Sequence, residues 1–581
     1  MSAIETQNQP GWKRFLPFLT WMSRYRSTDL TSDLLAGVIV AIMLVPQGMA
    51  YAMLAGLPPQ VGLYASIAPT LLYGLLGTSR TLAVGPVALT SILVAASVGK
   101  LAPQGEGSYL LMAIALALLV GVIQLLMGLL RLGSVVNFIS HPVLSGFTSA
   151  AAILIALSQV NSLAGIPMPR VEGFPTMLRE TYRNLSSIHW PSLAIGVAAI
   201  LILIYFKTSL EGHLARLNIR IAWRVPITKS GPLVVVVLGT LLVWGLGFHQ
   251  RAGVQVVGQI PAGLPPLTLP AFDLGNWGAL GSAALTISVI AFLESISVAK
   301  ALASRRREKV DANQELVALG FANLGAAFTG GYPVAGGFAR SVVNFSVGAR
   351  TGLASMITAG LISLTLLFMM PLFFFLPKAV LAAIILVAVV NLVDVAALRR
   401  VWRYSKADAV SLLITFAAVL GLGIEAGILA GAVTALVVHL WRTSRPHVAL
   451  LGRVGDSEHY RNVLRHAVQT CPHTLTVRID ESLYFANTQY LETWLLNTVA
   501  ERPELEKLVL VFSAVNFIDA SALESLENLQ SELQAAGITL YLAEVKGPVM
   551  DRLKGTGLVK KIGQDHIFLS THQVMQNLGC A

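Results

Sequence analysis

The chain has 581 residues, of which 55% are hydrophobic and only 12% charged, and its mean hydropathy is +0.69. Soluble domains carry about 25% charged residues, so these proportions exclude a chain that folds as one water-soluble core. The net charge of +11 is uneven, +14 up to Ser444 and −3 from Arg445 onward; the basic residues sit in short stretches between apolar runs, which reads as membrane topology and excludes a nucleic-acid partner.

The N-terminal segment, residues 1–33, is polar and carries Lys13, Arg14, Arg24 and Arg26. It has no apolar stretch or cleavage site of a signal peptide. Fourteen apolar segments follow, at roughly 34–52, 61–77, 86–98, 109–130, 143–163, 189–206, 230–248, 278–299, 315–329, 338–347, 351–370, 378–392, 407–421 and 424–442. A helix needs about 20 residues to span a bilayer, so the third and tenth are too short to span alone. An even number of spans puts both termini on one side. That side carries 21 Lys and Arg and the other 6, which predicts a multi-pass protein of the cell inner (plasma) membrane with both ends cytoplasmic. Arg305-Arg306-Arg307 then reads as a topogenic loop.

In the first segment, Pro46 interrupts the helix and frees a carbonyl. Gln47 and Tyr51 follow on one helix face, four residues apart. Both donate hydrogen bonds, which suits either an anion that has shed its water or a contact between helices. The third segment is preceded by Thr81-Leu82-Ala83-Val84-Gly85-Pro86. The tenth is preceded by Gly330-Gly331-Tyr332-Pro333-Val334-Ala335-Gly336-Gly337. Each is an extended Gly/Pro stretch feeding a short helix. They lie seven segments apart, so the two halves have inverted topology, the pattern that marks a transporter binding site.

Irregular backbone inside a bilayer is tolerated only where it is buried in protein or lines a cavity. A helix starting there presents unpaired N–H groups and a partial positive charge. Two such N-termini facing one cavity make an anion site, and Pro86 suits a first helical turn. Arg340, at the start of the tenth segment, either adds positive potential to this site or snorkels at the span edge. Glu294 is the acid well inside a long apolar span; Glu106, Glu172, Asp394 and Glu425 fall in loops or at span ends. A carboxyl in low dielectric can exchange a proton in the physiological range, so Glu294 reads as a proton carrier or as a fixed counter-charge to Arg340.

From about Arg445 the texture changes. Strands are predicted at Thr474–Ile479, Lys507–Phe512 and Ile538–Leu542, with helices at about 488–500 and 521–535 between them. This alternation describes a small α/β domain. Its two cysteines, Cys471 and Cys580, supply no disulfide framework and no metal-ligand cluster. The chain has no P-loop or nucleophile elbow, and His141-Pro142 is a loop pair. Neither an enzyme nor a resident cofactor or metal is expected.

The runs Leu44-Val45-Pro46-Gln47-Gly48-Met49-Ala50-Tyr51-Ala52, Ala55-Gly56-Leu57-Pro58-Pro59 and Gly62-Leu63-Tyr64 resemble the signature of the sulfate permease (SulP) family. Glu294-Ser295-Ile296-Ser297-Val298-Ala299, Asp311-Ala312-Asn313-Gln314-Glu315-Leu316 and Phe338-Ala339-Arg340-Ser341 resemble further stretches of it. The tail resembles the STAS domain of such permeases. The resemblance implies a polytopic α-helical membrane protein of fourteen segments, folded as a 7+7 inverted repeat (uracil-transporter-like), with a cytoplasmic STAS domain at 445–581. The transport domain, 34–444, would divide into a core (about 34–130 and 278–370) moving against a gate (about 143–248 and 378–442), commonly as a homodimer.

Carried over by position, the substrate contacts are Gln47, Tyr51, Val87, Ala88, Leu89, Arg340 and Ser341, with Ala339 where many members have serine. Glu294 matches the acid linked to proton coupling. In the tail, Phe517-Ile518-Asp519-Ala520-Ser521 resembles a turn of anti-sigma-factor antagonists in which a serine is phosphorylated; Ser521 and Glu524 also form a capping box, the favoured reading. The leading expectation is proton-coupled uptake of a small inorganic anion, sulfate first. The alternatives are sodium-coupled bicarbonate, chloride exchange or dicarboxylate transport in the same architecture, or an anion channel or sensor that signals through its tail. Membrane lipid surrounds the transport domain in every case.

Overall fold

The computed structural model describes residues 16–23, 25–103, 107–134, 140–166, 173–219, 221–270 and 274–580. Lys13, Arg14, Arg24, Glu106, Arg170 and Glu172 lie outside them. The chain divides into two compact units, Met1–Val433 and Thr434–Ala581.

All fourteen apolar segments form helices: α1 Ser27–Leu54, α2 Ala68–Leu76, α3 Ala88–Val98, α4 Gly107–Leu129, α5 His141–Ala164, α6 Trp190–Thr208, α7 Gly231–Leu246, α8 Leu274–Arg306, α9 Ala312–Phe328, α10 Phe338–Val347, α11 Leu353–Phe368, α12 Lys378–Val389, α13 Lys406–Leu422 and α14 Ile424–Thr443. Among the described residues, six stretches are long and apolar enough to cross a membrane: α1, α4, α5, α6, Leu280–Arg306 of α8 and Ala426–Thr443 of α14. By contrast, α3 has 11 residues and α10 has 10. At 1.5 Å per residue each covers about half of a hydrocarbon core of about 30 Å.

The second segment is broken in two. A short helix, Pro59–Tyr64, precedes α2. It lies directly on α1, where a Cβ on Gly62 would stand 1.9 Å from the Gly48 carbonyl oxygen, so only glycine fits. Helix α1 starts at Ser27, ahead of its apolar run, because its polar first turns have partners. The Asp29 carboxylate accepts from Arg26 N at 3.1 Å. Asp33, fully buried, accepts from Arg350 N (2.6 Å), Thr351 N (3.1 Å) and Thr351 Oγ1 (2.6 Å), tying the α10–α11 turn to α1. The corresponding anchor in the other half is Glu315, in the first turn of α9 and also fully buried. It accepts from Tyr73 Oη (2.6 Å), Thr78 N (2.7 Å), Thr78 Oγ1 (2.6 Å) and Ser79 N (3.1 Å), and so holds the chain that leaves α2. Neither acid was legible as buried from hydropathy, since each stands at the edge of an apolar run.

Helix α9 packs against α4 and α2, and α11 against α1; α5 packs against α12 and α13, and α6 against α12 and α7. The two Gly/Pro stretches meet: β1 (Val84–Gly85) pairs antiparallel with β2 (Ala335–Gly336), Val84 opposite Gly336 and Gly85 opposite Ala335. The breaks therefore supply each other's backbone partners.

The second unit is built on a six-stranded sheet in the order β4-β3-β5-β6-β7-β8. Its strands are β3 Val448–Arg453, β4 Tyr460–Asn462, β5 Thr474–Ile479, β6 Lys507–Val511, β7 Thr539–Ala543 and β8 Ile567–Phe568. Strands β5 to β8 run parallel, and β3 pairs antiparallel with β5 and with β4. The helices α15 Thr488–Ala500 and α16 Ala520–Ala535 connect β5 to β6 and β6 to β7. The capping-box reading of Ser521 is corrected. The N-cap is Asp519, whose Oδ1 accepts from Ala522 N at 2.8 Å and whose Oδ2 accepts from Phe485 N at 2.9 Å. An Asp already in position outcompetes a serine two residues later, so Ser521 is left exposed in the first turn.

Cys471 and Cys580 do not form a framework, but they do form one disulfide across 109 residues. It fastens the C-terminal helix α17 (Thr571–Asn577) beside β5, where Val574 and Met575 cover Val509, Val511 and Tyr541. Closing so long a loop restricts the unfolded chain, a contribution of about 2–4 kcal/mol. Alkylation of the native protein should modify no thiol before reduction and two after it, by intact mass.

Candidate anion site

Pro46 does not interrupt its helix as expected: α1 runs unbroken from Ser27 to Leu54 with Pro46 inside it. Behind it, Gln47 and Tyr51 are each 6% exposed. Helix α3 has Val87 as its N-cap, so Pro86 precedes the helix rather than standing in its first turn, and Val87, Ala88 and Leu89 are all buried. Helix α10 has Gly337 as its N-cap, and neither short helix has a side chain capping its N-terminus. The first N–H groups of both are thus left for another acceptor.

Side chains fix where these N-termini stand. The Ser341 hydroxyl accepts from Ala83 N (2.9 Å) and donates to Gly337 O (2.7 Å); Gly337 N donates to Ala83 O at 3.0 Å. Asn344 Nδ2 donates to Thr81 O at 3.1 Å. On the other strand, Asn323 binds Val334 through both its backbone groups: it accepts from Val334 N (2.8 Å) and donates to Val334 O (3.2 Å). Asn323 also donates to Gln124 Oε1 (3.0 Å), and Gln124 Nε2 donates to Ser288 O (3.1 Å). Ser295 Oγ accepts from Gly336 N at 2.8 Å, which pins the residue after Glu294 to β2. Tyr332 Oη and Ser91 Oγ share a hydrogen bond of 3.0 Å that joins the second break to α3. Sequence reading missed Asn323, Gln124, Ser295 and Ser91 as positioning groups. The signal available was polar residues within apolar helices.

Arg340 is 2% exposed, and its Nε and Nη2 have no hydrogen-bond partner. The guanidinium lies back against the start of α10: a Cβ on Gly337 would be 2.8 Å from its Cζ and Nη2, and one on Gly85 3.6 Å from Nη2. Snorkelling at a span edge is therefore not its position. Its charge acts on Tyr51, Glu294 and Tyr332. Glu294 has a buried Oε2 that is likewise unpartnered, and no contact ion pair joins the two. A cation at a helix N-terminus opposes the helix dipole, and an unpaired buried charge costs several kcal/mol. The cluster thus gathers positive potential from a guanidinium and two helix ends, with unused donors. An anion is the ligand that relieves it.

Gln47, Tyr51, Val87, Ala88, Leu89, Arg340 and Ser341 are all buried, and Tyr51, Glu294 and Arg340 are brought within electrostatic reach of one another. Ala339 is exposed beside Phe338, outside this buried set. The Ser341 hydroxyl is fully engaged with backbone, so it shapes the site. Ser341→Ala would orphan the buried Ala83 N–H, a loss of about 1–3 kcal/mol; thermal unfolding in detergent should show the lower apparent stability.

Two half-length helices that begin at paired backbone breaks, with a buried cation at the start of one, define the class as a membrane transporter of anions. The model of the sulfate permease family matches residues 30–415, and that of the STAS domain residues 466–574. Sulfate transporter 4.1, chloroplastic, of Arabidopsis thaliana is 37% identical over 96% of this chain and 82% of its own. A probable sulfate transporter of Mycobacterium tuberculosis is 34% identical over 99% of both. The murine anion transporter Slc26a9, solved in the inward-facing state, superposes with a TM-score of 0.90 at 25% identity, over 98% of this chain and 94% of that one. The transmembrane domain of a cyanobacterial bicarbonate transporter, BicA, shares the fold with a TM-score of 0.59 at 23% identity, over 71% of this chain and 98% of its own. The chain belongs to the sulfate permease family, and it is a transporter, not an enzyme.

Proposed function

We propose that the protein takes up sulfate together with protons by alternating access. In this reading, a core of about 34–130 and 278–370 carries the anion past a gate of about 143–248 and 378–442. The observation that carries the reading is the buried, unpartnered Arg340 beside two uncapped helix N-termini, with Glu294 the acid in its field. Of the residues carried over by resemblance, Gln47, Tyr51, Val87, Ala88, Leu89 and Arg340 would contact the substrate, Ser341 would hold the start of α10 in place, and Ala339 stands outside the buried set. A dianion suits a site with this much positive potential. Glu294 would take a proton as the anion binds and release it on the other side, so that uptake follows a proton gradient. The curated relatives named as sulfate transporters support sulfate as the cargo.

The same reading places the protein in the cell inner (plasma) membrane, as a homodimer with its N-terminus and STAS domain in the cytoplasm, Ser521 being open to modification there. The excess of Lys and Arg on the N-terminal side supports that orientation.

Proteoliposome uptake of labelled sulfate, bicarbonate and fumarate, each with and without proton and sodium gradients, tests the reading. Sulfate uptake driven by an inward proton gradient is expected; sodium-driven bicarbonate uptake would replace it. Arg340→Ala should raise the sulfate KM by about 10- to 100-fold, the loss of a charge-assisted hydrogen bond of about 1.5–3 kcal/mol. Glu294→Gln should leave sulfate binding measurable and remove the response to the proton gradient; an unchanged response would rule out the coupling role.

A further inference from the structure

Between α12 and α13 lies a helix of ten residues, Val395–Tyr404, whose sides differ in kind. Ala397, Leu398 and Val401 are half-buried, and the helix packs against α13 and α5. With 3.6 residues per turn, Arg399, Arg400 and Arg403 fall on the opposite side, and all three are exposed. Val395 (64% exposed) and Trp402 (49%) occupy the flank between the two faces. Arg400 makes an exposed contact with Asp394 at 3.4 Å. Among the described residues, Arg399 and Arg403 have no acidic partner.

The tethers on this helix are short. Only Val393 and Asp394 separate it from the 3₁₀ turn Val390–Leu392 that ends α12, and only Ser405 separates it from α13. Its neighbours on both sides, α12 and α13, are helices of the membrane unit, tethers that would hold it at the membrane surface. A helix with a tryptophan and an aliphatic residue on one flank and arginines along its back is built to lie in the headgroup layer. Arginine forks match phosphodiester oxygens. The helix Phe174–Arg183 offers a contrast. It too exposes apolar side chains, Leu178 and Tyr182, but both of its arginines contact Glu180, Arg179 at 3.9 Å and Arg183 at 3.2 Å.

We propose that Val395–Tyr404 is a docking surface for anionic phospholipid headgroups. Arg399, Arg400 and Arg403 hold the phosphates while Val395 and Trp402 rest at the acyl boundary. This site is separate from the transport site and independent of the transported ion.

The test is retention of labelled lipid by the full-length protein in detergent, comparing phosphatidylglycerol with phosphatidylcholine. The wild type should half-saturate with phosphatidylglycerol at a concentration at least tenfold lower than with phosphatidylcholine. At about fivefold per surface arginine, R399Q/R400Q/R403Q should lose at least tenfold of the phosphatidylglycerol affinity. The charge-preserving R399K/R400K/R403K should keep most of it, and R179Q/R183Q should change nothing. Wild-type retention in the glutamine variant, or an equal loss in R179Q/R183Q, would overturn the proposal. Displacement of the lipid by inorganic phosphate at equal concentration would also overturn it, by making the site one for a soluble anion. Thermal unfolding of each variant separates lost binding from lost folding.

Discussion

The structure of the membrane unit turns on a guanidinium placed where electrostatics disfavour it. Arg340 is buried at the N-terminus of α10 with two nitrogens unpaired, and a second uncapped helix, α3, begins in the adjoining break. In a low-dielectric interior such an arrangement is costly by itself. It persists because the surrounding structure over-determines it: β1 and β2 pair, Ser341 spans Ala83 and Gly337, and Asn323 grips Val334 from both sides. The strain is electrostatic rather than steric, and an anion bound there would relieve it.

The anchors farther out serve the same end. Asp33 and Glu315 each accept from two backbone N–H groups at a turn. Each joins elements distant in sequence, α1 to the α10–α11 turn and α9 to the end of α2. Two half-length helices cannot be held by lipid contacts alone, because neither spans the hydrocarbon. They are held by buried polar bonds, which are strong where water is absent. Close approaches add to this: Gly62 against Gly48 in α1, and Gly337 against the Arg340 guanidinium, leave no room for a Cβ.

Membership of the sulfate permease family and the match to solved anion transporters agree with this geometry. The tail is a second compact unit with its own core, and the disulfide between Cys471 and Cys580 closes its C-terminal helix onto the sheet. The basic helix Val395–Tyr404 belongs to the membrane unit but takes no part in the proposed anion site.

The sequence alone determined the class, the fourteen apolar segments that contain the helices and the existence of two breaks, because apolar runs and Gly/Pro interruptions are local signals. It also located three of the six tail strands, β5, β6 and β7, the first with the same bounds as observed, because a buried parallel strand reads as a continuous apolar run; the antiparallel β3 and β4 and the two-residue β8 give no such run. Only the tertiary structure decided how the two breaks pair, that Arg340 is buried rather than snorkelling, and that the Ser341 hydroxyl is spent on backbone. It also decided that Asp519, not Ser521, caps its helix, and that two cysteines 109 residues apart meet. Each of these depends on which polar atom finds a partner from a distant segment, and no local pattern of residues encodes that choice.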